Sequence, residues 1–316
     1  MGDFLKLSLL GEDLAIKKII EEYVSTVSGS PLSKYDDAIA FPIDNFWVLV
    51  KIDGTSASTS KYPWQSWESF GFRVTSSAVS DIIAKGGKPL LIMASIGVPK
   101  YWEIDLLMDL IRGIKNLGKF INAAYCGGDL NSSGSNEVWL DIVAAGTASK
   151  IIPNTPLRIG DLAYISGCLG MSAIPYIVYS KKLDYRAWED IISKAMFPHP
   201  PIKFLDVIKK YTIIASTDIS DGLRSILRIL KLNNVGLKVK ELPLCDEVTE
   251  FMQETKVTVK EIVKYMGEEV VIFFTSSENI SGCYELGVIT EDTGIVINGE
   301  HITEGGWDNF RGFISN

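Results

Sequence analysis

Histidine is almost missing from this chain: only His199 and His301 occur among 316 residues. A multi-histidine transition-metal centre is thereby excluded by supply. Cysteine is nearly as scarce, and Cys126, Cys168, Cys245 and Cys283 stand far apart without a C-x-x-C pair. That spacing predicts neither a zinc site nor a disulfide framework, and it suits a reducing compartment. Basic charge is short as well. With 31 Lys and Arg against 39 Asp and Glu the net charge is −8, which argues against a nucleic-acid binder needing a basic surface for phosphates. The longest apolar run, 89–98, is too short to span a bilayer. Asp3, Lys6, Glu12 and Asp13 interrupt any signal-peptide core in 1–17, so a cytoplasmic protein is expected. Neither a Walker sequence nor a protein-kinase signature is present.

What is present is a soluble, globular composition, 47% hydrophobic and 22% charged, with length enough for two domains. Helical spacing is read over 9–24, 67–85 and 102–117, the second closed by Gly86-Gly87. Strands are expected at 38–41, 46–52, 90–97 and 137–146, with loops at 54–61 and 126–134. Pro153, Pro156 and Gly160 mark 150–160 as a linker. Beyond it, strands and helices alternate. The pattern is that of an α+β or α/β protein, divided near residue 150 into a 1–150 and a 151–316 domain.

The chemistry is carried by aspartates. Ser216-Thr-Asp-Ile-Ser-Asp-Gly-Leu223 follows an apolar run at 211–215, read as a strand, and precedes an amphipathic helix beginning with Leu223, Ile226, Leu227 and Leu230. Asp218, Ser220 and Asp221 are thus expected in a strand-to-helix turn, at a positively polarised helix start. Asp218 or Ser220 read alone is an N-cap. Similar carboxylates recur, however. Asp36 and Asp37 precede a strand, Asp53 ends one, and Asp81 lies by the apolar stripe of its helix. Asp129 follows two glycines that let backbone approach a ligand. Carboxylates gathered in this way are natural ligands for Mg²⁺ bridging to phosphates.

The order of "DDAIAF", Asp53, "SSAVSDIIAKGGKP", "GGDLNSS", "PLRIGDLAYISGCLG", "STDISDGL" and "GEEVVIFFT" resembles the family that includes aminoimidazole ribonucleotide synthetase, selenophosphate synthetase and a hydrogenase maturation factor. Within it, "LGEDLAIKKI", "NNVGLKVKELPL" and "GGWDNF" make the chain most similar to the thiamine-monophosphate kinases. The resemblance covers nearly the whole chain. It implies an aminoimidazole ribonucleotide synthetase-like fold, a dimerising N-terminal α/β domain that binds ATP and metal, a C-terminal α+β domain, and a homodimer. It further implies ATP as co-substrate, several Mg²⁺ ions, and direct phosphoryl transfer onto thiamine monophosphate. By motif, Asp37, Asp53, Asp81, Asp129, Asp218 and Asp221 would be metal ligands, with Asp129, Asp218 and Asp221 central to catalysis. Gly128, Asp129 and Ser220 would border ATP. Glu268 and Trp307 would face the thiamine moiety, a carboxylate and an aromatic plane suiting a thiazolium cation. Trp307 can equally pin the chain end to the core.

The chain departs from the family pattern in places. Tyr35-Asp36-Asp37 stands where Gly-Asp-Asp is usual, and Lys51-Ile52-Asp53 where Ser-Thr-Asp is usual, so a hydroxyl ligand is lost and a lysine arrives. Ser60 falls near the place of a substrate-contacting histidine. Lys150 is the nearest basic residue to an expected ATP-side arginine. These changes leave open an ATP-dependent enzyme acting on another small substrate, or a nucleotide-binding paralogue without catalysis.

Overall fold

The computed structural model describes residues 6–314. Asp3, part of the leader reading, lies outside the described residues. Two helices come first, α1 (Leu7–Leu10) and α2 (Glu12–Glu22), followed by the hairpin β1 (Ile39–Ile43) and β2 (Phe46–Ser56). Then come α3 (Ala57–Ser60), α4 (Trp67–Ala84), β3 (Lys88–Val98), α5 (Ile104–Ile121), β4 (Ala124–Ser132) and β5 (Trp139–Ala148). These strands form one sheet in the order β1-β2-β5-β3-β4, antiparallel except for β3 and β4.

After the irregular segment 149–161 the chain builds a second sheet. Its strands are β6 (Leu162–Ile165), β7 (Ala215–Ile219), β8 (Gly236–Val239), β9 (Glu269–Ser276), β10 (Tyr284–Thr290), β11 (Gly294–Ile297) and β12 (Glu300–Ile302). The order is β12-β11-β8-β10-β6-β9-β7. Helices α6 (Ala173–Ser180), α7 (Glu189–Met196), α8 (Phe204–Lys210), α9 (Leu223–Asn233), α10 (Asp246–Thr255) and α11 (Val259–Tyr265) surround it. A small hairpin, β13 (Gly306–Asp308) with β14 (Gly312–Ile314), ends the described chain. Among the described residues no helix is long and apolar enough to cross a membrane.

Helix α4 positions much of the candidate site. Ser66 caps it by accepting from the Ser69 N–H at 3.1 Å, and every residue from Ser69 to Ala84 is buried. It lies against β2, β3 and β5 of the first sheet and also against β7 and β9 of the second. Small side chains such as Ser76, Ser77, Ala78 and Ser80 let it pack on both. The expectation of a single buried stripe is corrected here: a helix enclosed on all sides has no solvent face.

Three local readings are also corrected. The strand preceding the Asp218 motif is β7 itself, not 211–215, so Asp218 lies within a strand. Ser216 and Thr217 are buried, and Ser216 Oγ donates to the Ala84 carbonyl. Helix α9 starts after Gly222, with no side-chain cap from Asp218 or Ser220. The 126–134 loop is largely strand β4, and β2 runs through 54–56 because Asp53 to Ser56 pair with Ile142 to Trp139.

The cysteine reading is corrected as well. Cys168 and Cys245, 77 residues apart, form a disulfide with a Cα–Cα distance of 5.0 Å. Leu169 bridges to Leu244 and accepts from the Cys245 N–H, and this tertiary pairing is invisible to sequence spacing. Cys126 and Cys283 are free. Thiol titration of the denatured, unreduced protein should therefore find two reactive thiols of the four, whereas four would contradict the bridge. Closing a loop of this length is worth about 4 kcal/mol, so reduction should lower the thermal midpoint.

Candidate active site

A cavity of about 1110 Å³ opens between α2, α4, β2, β7, α9 and the β13–β14 hairpin. Its acidic end is built from three elements. Asp37 precedes β1, Asp81 belongs to α4 and Asp218 to β7; one carboxylate oxygen of each lies within 4.8 Å of the others. Asp53 of β2 lines the same cavity, with its Oδ1 accepting from the Gly54 N–H at 2.9 Å. Ser80 and Ser220 donate to the two oxygens of Asp218 at 2.7 and 3.2 Å. Oxygen-only donors at this spacing suit a hard divalent cation such as Mg²⁺. Asp37 Oδ2 is buried, and its near neighbour is the Lys85 ammonium at 2.9 Å.

Two lysines enter this cluster. Lys51 Nζ lies 2.8 Å from Asp81 Oδ2. Lys85 is fully enclosed, with Nζ 2.9 Å from Asp37 Oδ2 and 3.5 Å from Asp36 Oδ1, and it also donates to Asn154 Oδ1 and the Ser216 carbonyl. Burial, then the charge of Asp218, raises the Asp81 carboxyl well above its usual range, against the pull of Lys51. Burial and Asp37 push Asp218 up to about 7. Burial opposes the charge on Lys51, but Asp81 and Asp53 outweigh it and hold the ammonium above the ordinary lysine value. The carboxylates are too close together to be fully ionised without further cations.

A pH dependence follows. A carboxyl whose pKa is raised on folding adds stability at low pH, and loses that contribution as pH rises through the folded value. For Asp218 the window runs from 3.8 to about 7. A cation must displace the proton. Apparent Mg²⁺ affinity by calorimetry should climb from pH 5.5 toward 7 and level off above it; a flat profile would show that Asp218 is not titrating there.

The other predicted residues are distributed unevenly. Ser220, Asp221, Ser60, Glu268 and Trp307 all line the cavity. Asp221 stands in the β7–α9 turn and is ion-paired to Arg228, which also holds Asp13 at 2.7 Å. Gly222, at φ +65°, completes the turn, and a side chain there would strike the Met266 carbonyl. Ser60 Oγ accepts from Thr55 at 3.1 Å. Glu268 has a left-handed φ of +59° and pairs with Arg73, a buried α4 guanidinium that burial pulls down to about 10. That turn separates Glu268, which faces the cavity, from Glu269, which is buried and accepts from the Gly170 N–H at 2.8 Å and Ser172 Oγ at 2.7 Å. Trp307 meets Phe313 edge-on at 5.0 Å, and Phe313 touches Tyr176 and Tyr265 at 4.5 and 5.3 Å.

Gly128, Asp129 and Lys150 are not among the cavity residues. Asp129 pairs in register with Ser95, on the opposite face of the first sheet from α4. Gly128 is needed where it stands because a Cβ would meet the Ala94 carbonyl at 1.7 Å, so a neighbouring strand, not a ligand, accounts for the glycine. Lys150 is exposed just after β5. Sequence reading passed over Lys85, Asn154, Arg73 and Arg228. Lys85 ends a helix beside Gly-Gly, a context that reads as surface.

Residues 35–148, which carry the first sheet, match the model of the AIR synthase related protein N-terminal domain. The chain is 30% identical to the thiamine-monophosphate kinase of Pyrobaculum calidifontis over 282 residues, 84% of this chain and 88% of the relative. It is 27% identical to that of Aquifex aeolicus over 320 residues, 97% of this chain and all of the relative. The structure of AaThiL complexed with AMPPCP and TMP superposes with a TM-score of 0.86 at 24% identity, covering 98% of this chain and 100% of that one. The chain belongs to the thiamine-monophosphate kinase family.

Proposed function

We propose that the protein transfers the γ-phosphoryl group of ATP directly to the phosphate of thiamine monophosphate, giving thiamine diphosphate and ADP. The observation that carries this reading is one continuous cavity with two chemically distinct ends. A carboxylate cluster suited to divalent cations and polyphosphate lies at one end; a carboxylate beside aromatic faces, suited to an organic cation, lies at the other. The AMPPCP and TMP of the structural relative support the same pairing of ligands.

In the reaction a phosphate oxygen of thiamine monophosphate bonds to the γ-phosphorus while the bond to the bridging oxygen breaks, its electron pair leaving with ADP. Mg²⁺ held at the carboxylate cluster would neutralise phosphate charge. The chain's own part is positioning. Ser220 points its hydroxyl into the cluster. Glu268, set against buried Arg73, turns a negative face to the thiazolium, and Trp307 with Tyr265 and Tyr176 offers π faces to that cation. Asp221 holds the β7–α9 turn through Arg228.

The proposal includes two domains divided near residue 150, each with its own sheet, although Tyr164, Phe204 and Phe274 of the second half share a core with the first. It includes a homodimer. The face of the first sheet turned away from α4 exposes Ile52 at 64%, Met93 at 41% and Trp139 at 43%, a broad apolar surface that a second copy would cover. Light scattering giving a monomer at micromolar concentration would remove the dimer from the proposal.

The deciding experiment incubates the protein with ATP, Mg²⁺ and thiamine monophosphate and separates the products chromatographically. Thiamine diphosphate formed in step with ADP is the expected result. No product, with nucleotide binding intact, would redirect the reading to another small substrate.

A further inference from the structure

We propose that Lys51 is a resident cation of the acidic cluster, its ammonium holding the ground between Asp53 and Asp81 that a divalent ion would otherwise take. The inference rests on the reading of this cluster as a divalent-cation site. It concerns how many ions the site accepts.

Strand alternation places the lysine. Lys51 and Asp53 are two apart on β2 and point to the α4 side, while Ile52 between them points outward and is 64% exposed. The Lys51 side chain is 23% exposed and that of Asp81 4%, with Nζ and Oδ2 2.8 Å apart. A Mg²⁺ ion needs its oxygens at about 2.1 Å and keeps waters around it. An ammonium already hydrogen-bonded to the same oxygen fills that space, and at about 4 Å it would repel the ion strongly in a partly dry site.

Lys85 stands on the other side of the cluster and reaches Asp37 and Asp36, not Asp81. It is wholly enclosed and bonded to Asn154 and Ser216, so its place is structural. Lys51 borders the cavity directly. Of the two lysines it is the one an entering ion or phosphate would meet. The chain thus carries part of its counter-charge covalently, with fewer exchangeable ions than its carboxylates could otherwise hold.

The test counts ions rather than turnover. Bound Mn²⁺ per chain is measured by electron paramagnetic resonance on the full-length protein, wild type beside Lys51→Met and Lys51→Arg, each checked for folding by circular dichroism. The methionine variant should bind about one more Mn²⁺ than wild type, and the arginine variant the wild-type number. An equal or smaller number in Lys51→Met overturns the proposal. If wild type binds no Mn²⁺ at all, with or without ATP, the cation-site reading itself falls. Should the methionine variant not fold, anomalous diffraction from wild-type crystals soaked in Mn²⁺ decides: ions at Asp37 and Asp218 but none against Lys51 support it, and an ion ligated jointly by Asp53 and Asp81 overturns it.

Discussion

Asp218→Asn should lower kcat by about 1000-fold or more while leaving the thermal midpoint at or slightly above that of wild type. The activity loss follows from removing a charge at the centre of the cluster, where preorganised electrostatics supply most of a phosphoryl-transfer enzyme's rate. The retained stability follows from the surroundings. Asp218 faces Asp37 and Asp81, so neutralising it relieves repulsion in a buried site. An amide of the same shape can still accept from Ser80, and the Ser220 hydroxyl can rotate to accept from the new amide nitrogen. The measurement is steady-state kinetics beside thermal unfolding in chelator. Activity above a tenth of wild type would make Asp218 a structural residue.

Lys85→Met should have the reverse profile in the metal-free protein: a loss of about 3–5 kcal/mol, or about 10 °C in thermal midpoint. Methionine keeps the volume, so the cost isolates the charge. Without the ammonium, Asp36 and Asp37 keep their burial but lose their counter-ion, and Asn154 and the Ser216 carbonyl lose a donor. Four segments meet on that single nitrogen: the approach to β1, the end of α4, the segment after β5, and β7. Denaturant unfolding reports the difference directly. A loss below about 1 kcal/mol would mean that protonation or water replaces the lysine at little expense, and that the four segments are held elsewhere.

The sequence was most legible where chemistry repeats a residue type. Asp37, Asp53, Asp81 and Asp218 were singled out because each sat beside a strand end, a turn or an apolar stretch, and all four line one cavity. Helix α4 was legible too, because its apolar content and the closing Gly86-Gly87 bracket it clearly. The strand carrying Asp218 was misplaced by four residues since its polar side chains are buried, with Ser216 donating to the Ala84 carbonyl and Asp218 accepting from Ser80 of α4, and polar residues in a strand read as a loop. The disulfide and the Lys85 hub were illegible for a shared reason: their partners are distant in sequence, and only tertiary contact selects them. Asp129 shows the converse. A motif keeps its spelling while side-chain alternation along β4 turns it away from the cavity.

Helix α4 has one more consequence. Arg73, which secures Glu268, and Asp81, which joins the carboxylate cluster, are eight residues apart on one buried rod. At the rise of an α-helix their backbones are separated by about 12 Å. Because both sheets clamp that rod, the span between the two ends of the cleft is metric rather than elastic. The protein carries a ruler in its core, and a ligand must match its length to engage both ends at once.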